Sequence, residues 1–211
     1  MMAKKIGEAL GQKVQIVKLD WDSLIPAVMS GDVDCVIAGQ SITAERAAQV
    51  DFSDPYYYAS IVCVTKADSP YANATSIADL AGGKCTAQSG TIWYDSCLPQ
   101  IENAELLAPA ETAPAMIMQL QTGSVDFICT DMPTAMAAVA KDDNLVILNF
   151  SGTDGDFQFA SEEELAENVN IGISVQKGNT QLTDAIDTVL SVLNEEQFNA
   201  LMDQAIAIQP E

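Results

Sequence analysis

Between Lys84 and Ala140, short β-prone runs alternate with helix-length runs, and this alternation limits the folds open to the chain more than any other feature. Lys84 to Gln88 reads as a strand, Ser89-Gly90-Thr91 as a turn and Ile92 to Leu98 as a helix. A strand at Glu105 to Ala108, a helix at Ala113 to Gln121, a strand at Asp126 to Thr130 and a helix at Pro133 to Ala140 follow. Such a pattern predicts a mainly parallel sheet with helices on its faces. The first residues share the pattern: a helix from Met2 to Leu10 stopped by Gly11, a strand at Val14 to Val17, and a helix from an Asp22 cap to Met29, closed at Gly31. A strand at Asp34 to Ala38 completes it. Met29 to Ala38 and Gln121 to Thr130 each contain helix end, glycine, Val-Asp and apolar strand in one register, which suggests two like-built lobes. Ser60 to Lys66 reads as a β-rich crossing to the second lobe, Ile77 to Gly82 as a short helix and Leu145 to Asn149 as a strand. Asn170 to Val175 reads as a strand returning to the first lobe, before helices at Leu182 to Leu193 and Glu195 to Ile208.

Ligands of open α/β sheets sit beyond the carboxyl ends of strands. Here those ends are Gly39-Gln40-Ser41 in one lobe and Thr130-Asp131 in the other. The first lies in the stretch Ala38 to Tyr57. An apolar run, Cys35 to Ala38, reads as a buried strand, and Thr43 is well placed as the N-cap of a short helix. Arg46, the sole arginine of the sequence, lies on that helix. A guanidinium beside hydroxyls and helix-start amides can grip a carboxylate in two parallel hydrogen bonds. It can equally pair with Glu45, Asp51 or Asp54 as structural glue, and the residues alone leave both readings open.

The run Ala-Gly-Gln-Ser-Ile-Thr-Ala-Glu-Arg, then Asp-Phe-Ser-Asp-Pro-Tyr-Tyr, resembles the signature of the extracellular solute-binding proteins of polar amino-acid ABC transporters. Asp20 to Val28, Gln88 to Thr91 and Asn170 to Ile173 agree with it in order, and the resemblance spans essentially the whole chain. It implies an α/β, two-lobed, type II periplasmic-binding-protein-like fold, with each lobe a mainly parallel sheet flanked by helices and two hinge strands between them. Residues 1–56 and 171–211 would form one lobe and residues 57–170 the other. It implies a clamp that binds one free amino acid and delivers it to a permease outside the cytoplasm, in the periplasm or anchored at the surface, with no cofactor or metal. Carried over, Arg46, Ser41 and the Gly39 region would hold the ligand carboxylate, with Thr91 and the Ile92 amide donating to it from the second lobe. Asp131 would accept the α-ammonium, Trp21 would wall the ligand and Gln88 would touch its side chain. Each has a plainer reading: Thr91 and Asp131 as helix caps, Trp21 as core. The family's first strand and aromatic ligand loop have no counterpart before Met2, so the chain reads as N-terminally truncated, and an incomplete first lobe would invite self-association along a sheet edge.

Composition removes other classes. A net charge of −21 argues against nucleic acid and anionic membrane surfaces. With no histidine, the commonest general base and every Ser-His or Cys-His pair are gone, which leaves a cyclohexadienyl dehydratase-like enzyme using carboxylates as a distant rival. The ligand-binding domain of a receptor or histidine kinase is a nearer one. No run approaches the ~18 apolar residues of a membrane helix, and Met1 opens no signal peptide. Ser151 to Asp156 and Ser161 to Glu167 read as a solvated acidic excursion. The five cysteines form no Cys-x-x-Cys pair. Cys35, Cys63 and Cys129 read as small buried hydrophobes, and Cys85 with Cys97 is either a disulfide or two thiols.

Overall fold

The computed structural model describes residues 2–193 together with 197, 198, 200, 201, 204 and 205. The helix expected at Glu195 to Ile208 thus lies largely outside the described residues. In chain order the elements are α1 (Met2–Leu10), α2 (Leu24–Ser30), β1 (Cys35–Ser41), α3 (Ala44–Gln49), β2 (Val50–Phe52) and β3 (Tyr57–Tyr58). Then come β4 (Ile61–Lys66), β5 (Lys84–Thr86), β6 (Glu105–Leu106), α4 (Ala113–Gln121), β7 (Phe127–Asp131), α5 (Met132–Val139) and β8 (Leu145–Leu148). The last are α6 (Glu162–Val169), β9 (Asn170–Gln176) and α7 (Thr180–Leu190).

The chain divides into two compact units, one of Met1–Tyr58 with Ser161–Glu211 and one of Ala59–Ala160. The second crossing precedes α6, so this acidic helix belongs to the first unit, where the Glu167 carboxylate accepts the Ala44 N–H at 3.2 Å.

In the first unit β9 is central and antiparallel to β1, β2 and β3, which therefore share a direction among themselves. Ile173 and Val175 of β9 are fully buried and pack with Ile186, Val189 and Leu190 of α7 and with Ile6 of α1. On α1, Met2, Ile6 and Leu10 recur every four residues, which puts all three on the helix face turned to that core. Val28, Val36 and Val50 form a second cluster. Gly7 has a steric reason: a Cβ there would overlap Val14, so α1 and the following segment approach more closely than any side chain allows.

That segment departs from expectation. Val14 to Val17 forms no strand, and among the described residues it joins no ladder; Ile16 is 72% exposed. β-branched residues favour strands by packing against cross-strand neighbours, and this run has none there. β1 also differs from the buried strand expected, because among the described residues it is an edge strand and Ala38 at its middle is exposed. The register slips between Val36 and Gln40, where Gly39 takes a φ of +71°. The bulge re-aims the strand, so that Gln40 and Ser41 are buried and the Gln40 Oε1 accepts the Ser174 hydroxyl at 2.9 Å.

In the second unit the strand order is β6-β5-β7-β4-β8. The β6–β5–β7 pairings are parallel and β4 is antiparallel to both neighbours, so only the crossing strand runs against the rest. Phe127, Leu80, Leu98, Met116, Leu120 and Phe150 fill its core. The helix expected over Ile92 to Leu98 is a π turn, Trp93–Cys97, that tightens into a 3-10 turn, Leu98–Gln100. Pro99 has no N–H to continue an α-helical ladder, which explains the change.

Candidate functional site

Each unit ends a strand in a polar turn with one half-buried charge beside it. In the first, β1 leads through Ser41-Ile42-Thr43 into α3. Thr43 caps that helix as expected, its Oγ1 accepting the Arg46 N–H at 3.3 Å. Arg46 Nη1 donates to the Ser41 carbonyl at 3.0 Å, which folds the guanidinium back over the strand end. The guanidinium carbon lies 5.5 Å from the centroid of the Trp21 ring, within cation–π range. Trp21 opens the 3-10 turn before α2 and is half-buried, so it is a platform under Arg46 rather than core. Burial lowers the Arg46 pKa against a smaller opposing effect from Glu45. Of the alternative acid partners, Asp51 pairs instead with Lys177 at 3.0 Å and takes the Gly178 N–H. The structure thus brings Trp21, Ser41 and Arg46 together, with Gly39 at the bulge two residues before Ser41.

In the second unit the carboxyl ends of β5 and β7 lie side by side in a parallel pair. Gln88 follows β5 and bridges to Ala110, and its side-chain amide points to the Glu111 carbonyl. Thr91 is buried and donates its hydroxyl to the Gln88 carbonyl at 2.7 Å, closing the turn. It therefore braces the turn and does not cap the next helix with its side chain. The Ile92 N–H, at the start of that turn, donates to no acceptor among the described residues. Asp131 ends β7 and caps α5, its Oδ1 accepting the Thr134 N–H at 2.8 Å. Burial raises its pKa, and the hydrogen bonds from Thr134 oppose this only in part. Among the described residues no cation forms an ion pair with Asp131.

Two contributors escaped sequence reasoning. Thr134 secures the Asp131 carboxyl; the sequence reads Asp131 as a cap but leaves its partner three residues on unnamed. Glu167 reaches the start of α3 from 123 positions away, and no local signal announces that contact.

A family model described as bacterial extracellular solute-binding proteins, family 3, matches residues 1–206. Over 182 residues the chain is 29% identical to the probable histidine-binding protein of Campylobacter jejuni, covering 83% of this chain and 69% of that protein. Over 91 residues it is 40% identical to the arginine-binding extracellular protein ArtP of Bacillus subtilis, covering 43% of this chain and 34% of that one. A solved amino acid ABC transporter substrate-binding protein from Streptococcus pneumoniae, bound to L-arginine, matches with a TM-score of 0.80 at 27% identity, covering 98% of this chain and 81% of its own. A second solved substrate-binding protein of an amino acid ABC transporter gives 0.78 at 32%, covering 96% and 84%. The chain belongs to the bacterial extracellular solute-binding proteins, family 3.

Proposed function

We propose that the protein binds a free amino acid as a zwitterion, its carboxylate at Arg46 and its ammonium at Asp131, and presents it to an ABC transporter permease outside the cytoplasm. The observation that carries this reading is the pair of half-buried, opposite charges, one per unit, each at a strand end beside a helix start. Ser41 and the Ile92 amide complete the carboxylate's partners, Thr91 and Gly39 shape the two turns, Trp21 holds Arg46 flat, and Gln88 lies where a ligand side chain would be sensed. One ligand that engages both units favours the state in which both engage it, and its differential contacts drive closure about the crossings at residues 58–59 and 160–161. The role is binding rather than catalysis, in keeping with the family. Arginine and histidine, named for the relatives, are the first ligands to try. Calorimetry with the common amino acids should find one that binds, and its N-acetyl and α-carboxamide forms should bind at least tenfold more weakly. Equal affinity for free and blocked forms would overturn the reading.

The reading extends to association of two copies through β1. Its side away from β9 pairs with no described strand, and such an edge is a template for another chain. Sedimentation velocity should show a concentration-dependent dimer that Ala38→Lys, a charge at the exposed middle of this strand, disperses. A single monomeric species at all concentrations would exclude it.

A further inference from the structure

α3 carries the sole arginine of the sequence on only six residues, Ala44–Gln49. That is well under the roughly 12 residues an isolated helix needs in water. Contacts from outside the helix therefore set where Arg46 points. Two of them come from the flanks of β9, the central strand of the first unit, whose Ile173 and Val175 are fully buried.

Glu167 lies in the last turn of α6, just before β9. Its carboxylate accepts the Ala44 N–H at 3.2 Å, one of the first-turn amides that a helix cannot satisfy internally. Lys177 follows β9 directly. Its ammonium donates to the Ala47 carbonyl at 2.6 Å and the Val50 carbonyl at 3.4 Å, at the other end of α3. The same ammonium pairs with one Asp51 oxygen at 3.0 Å, and the other accepts the Gly178 N–H at 2.7 Å. Each charge is the one its helix end favours, an acid at the amino end and a base at the carboxyl end.

We propose that Glu167 and Lys177 are positioning residues for carboxylate recognition: they bracket α3 from the two flanks of β9 and fix the helix that carries Arg46. The inference rests on the proposed function, in which Arg46 takes the ligand carboxylate. The bonds to α3 go to main-chain atoms, so the effect on a ligand passes through the helix. A guanidinium grips a carboxylate with two parallel N–H groups, and that fork works only when aligned. If α3 tilts, Nη1 leaves the Ser41 carbonyl at 3.0 Å and the guanidinium slides off the Trp21 ring. An α-carboxamide offers the fork no second anionic oxygen, so misalignment costs it less than the free acid.

Calorimetry on the full chain tests this, with L-arginine and L-argininamide or the acid and amide of whichever common amino acid the parent binds best. Glu167→Ala and Lys177→Met should each weaken the free acid by about three- to tenfold, the range for one hydrogen bond, and the amide by less. Hydrogen exchange in a peptide spanning Ala44–Gln49 should quicken in both. Glu167→Gln keeps an acceptor for the Ala44 N–H, and Lys177→Arg keeps donors for the two carbonyls, so these should restore the parent's preference for the free acid. A lowered Tm in Glu167→Ala and Lys177→Met with that preference intact would overturn the inference and leave the proposed function standing, as would failure of both conservative variants to restore it. A parent that binds acid and amide equally would overturn the proposed function, and this inference with it.

Discussion

Arg46→Ala should weaken binding of the preferred amino acid by about 2–5 kcal/mol, the range for truncating one member of a desolvated charge pair. That is roughly thirty-fold to several thousand-fold in Kd. The size follows from preorganisation: the half-buried guanidinium is held by the Ser41 carbonyl at 3.0 Å, so the ligand carboxylate meets a fixed donor. Arg46→Lys should recover only a small part, because an ammonium cannot present two parallel N–H groups or lie flat on an indole. Trp21→Ala removes the platform and leaves the charge, so it should cost about 0.5–2 kcal/mol. Calorimetry ranks the three. Arg46→Ala binding as tightly as the parent would remove Arg46 from the site.

Asp131→Asn should move binding and stability in opposite directions. Binding should fall by a similar 2–5 kcal/mol, because the ligand ammonium loses its counter-charge. The ligand-free protein should become more stable at neutral pH, since asparagine still accepts the Thr134 N–H but carries no buried charge. For a chain of this size each kcal/mol gained raises Tm by roughly 2–4 °C. The pH dependence follows from the raised folded pKa of Asp131. Its contribution to the stability of the ligand-free protein is fully present below the ordinary carboxylate value of 3.8 and is lost as pH rises through the raised folded value. Ligand affinity runs the other way, falling as acid protonates Asp131. In Asp131→Asn both dependences should flatten, and a Tm at pH 7 below the parent's would contradict the account.

Much of this arrangement is legible in the sequence because it is built from local signals. Gly11 and Gly31 stop helices in left-handed conformations, Thr43 caps α3, and the Val-Asp echo marks β1 and β7 as strands that end in polar turns. Asp131 shows why a residue can carry two readings at once: its cap bond to Thr134 is made, and its burial makes it a candidate for a cation as well. What local signals do not carry is partnership between distant segments. Val14 to Val17 has β propensity, but a strand also needs a neighbour. Glu167 lies in an acidic run that reads as solvated surface, yet it meets α3 because α6 packs with the first unit. Cys85 and Cys97 lie on consecutive elements, which leaves a disulfide open in the sequence, yet both are buried free thiols.

Arg46 is proposed to read the carboxylate of a zwitterionic ligand. This role is tested most directly by titrating the parent and Arg46→Ala proteins with the preferred amino acid and with its α-carboxamide. The parent should prefer the free acid strongly, and Arg46→Ala should bind the two forms almost equally. An undiminished preference for the free acid in Arg46→Ala would mean that another group reads the carboxylate.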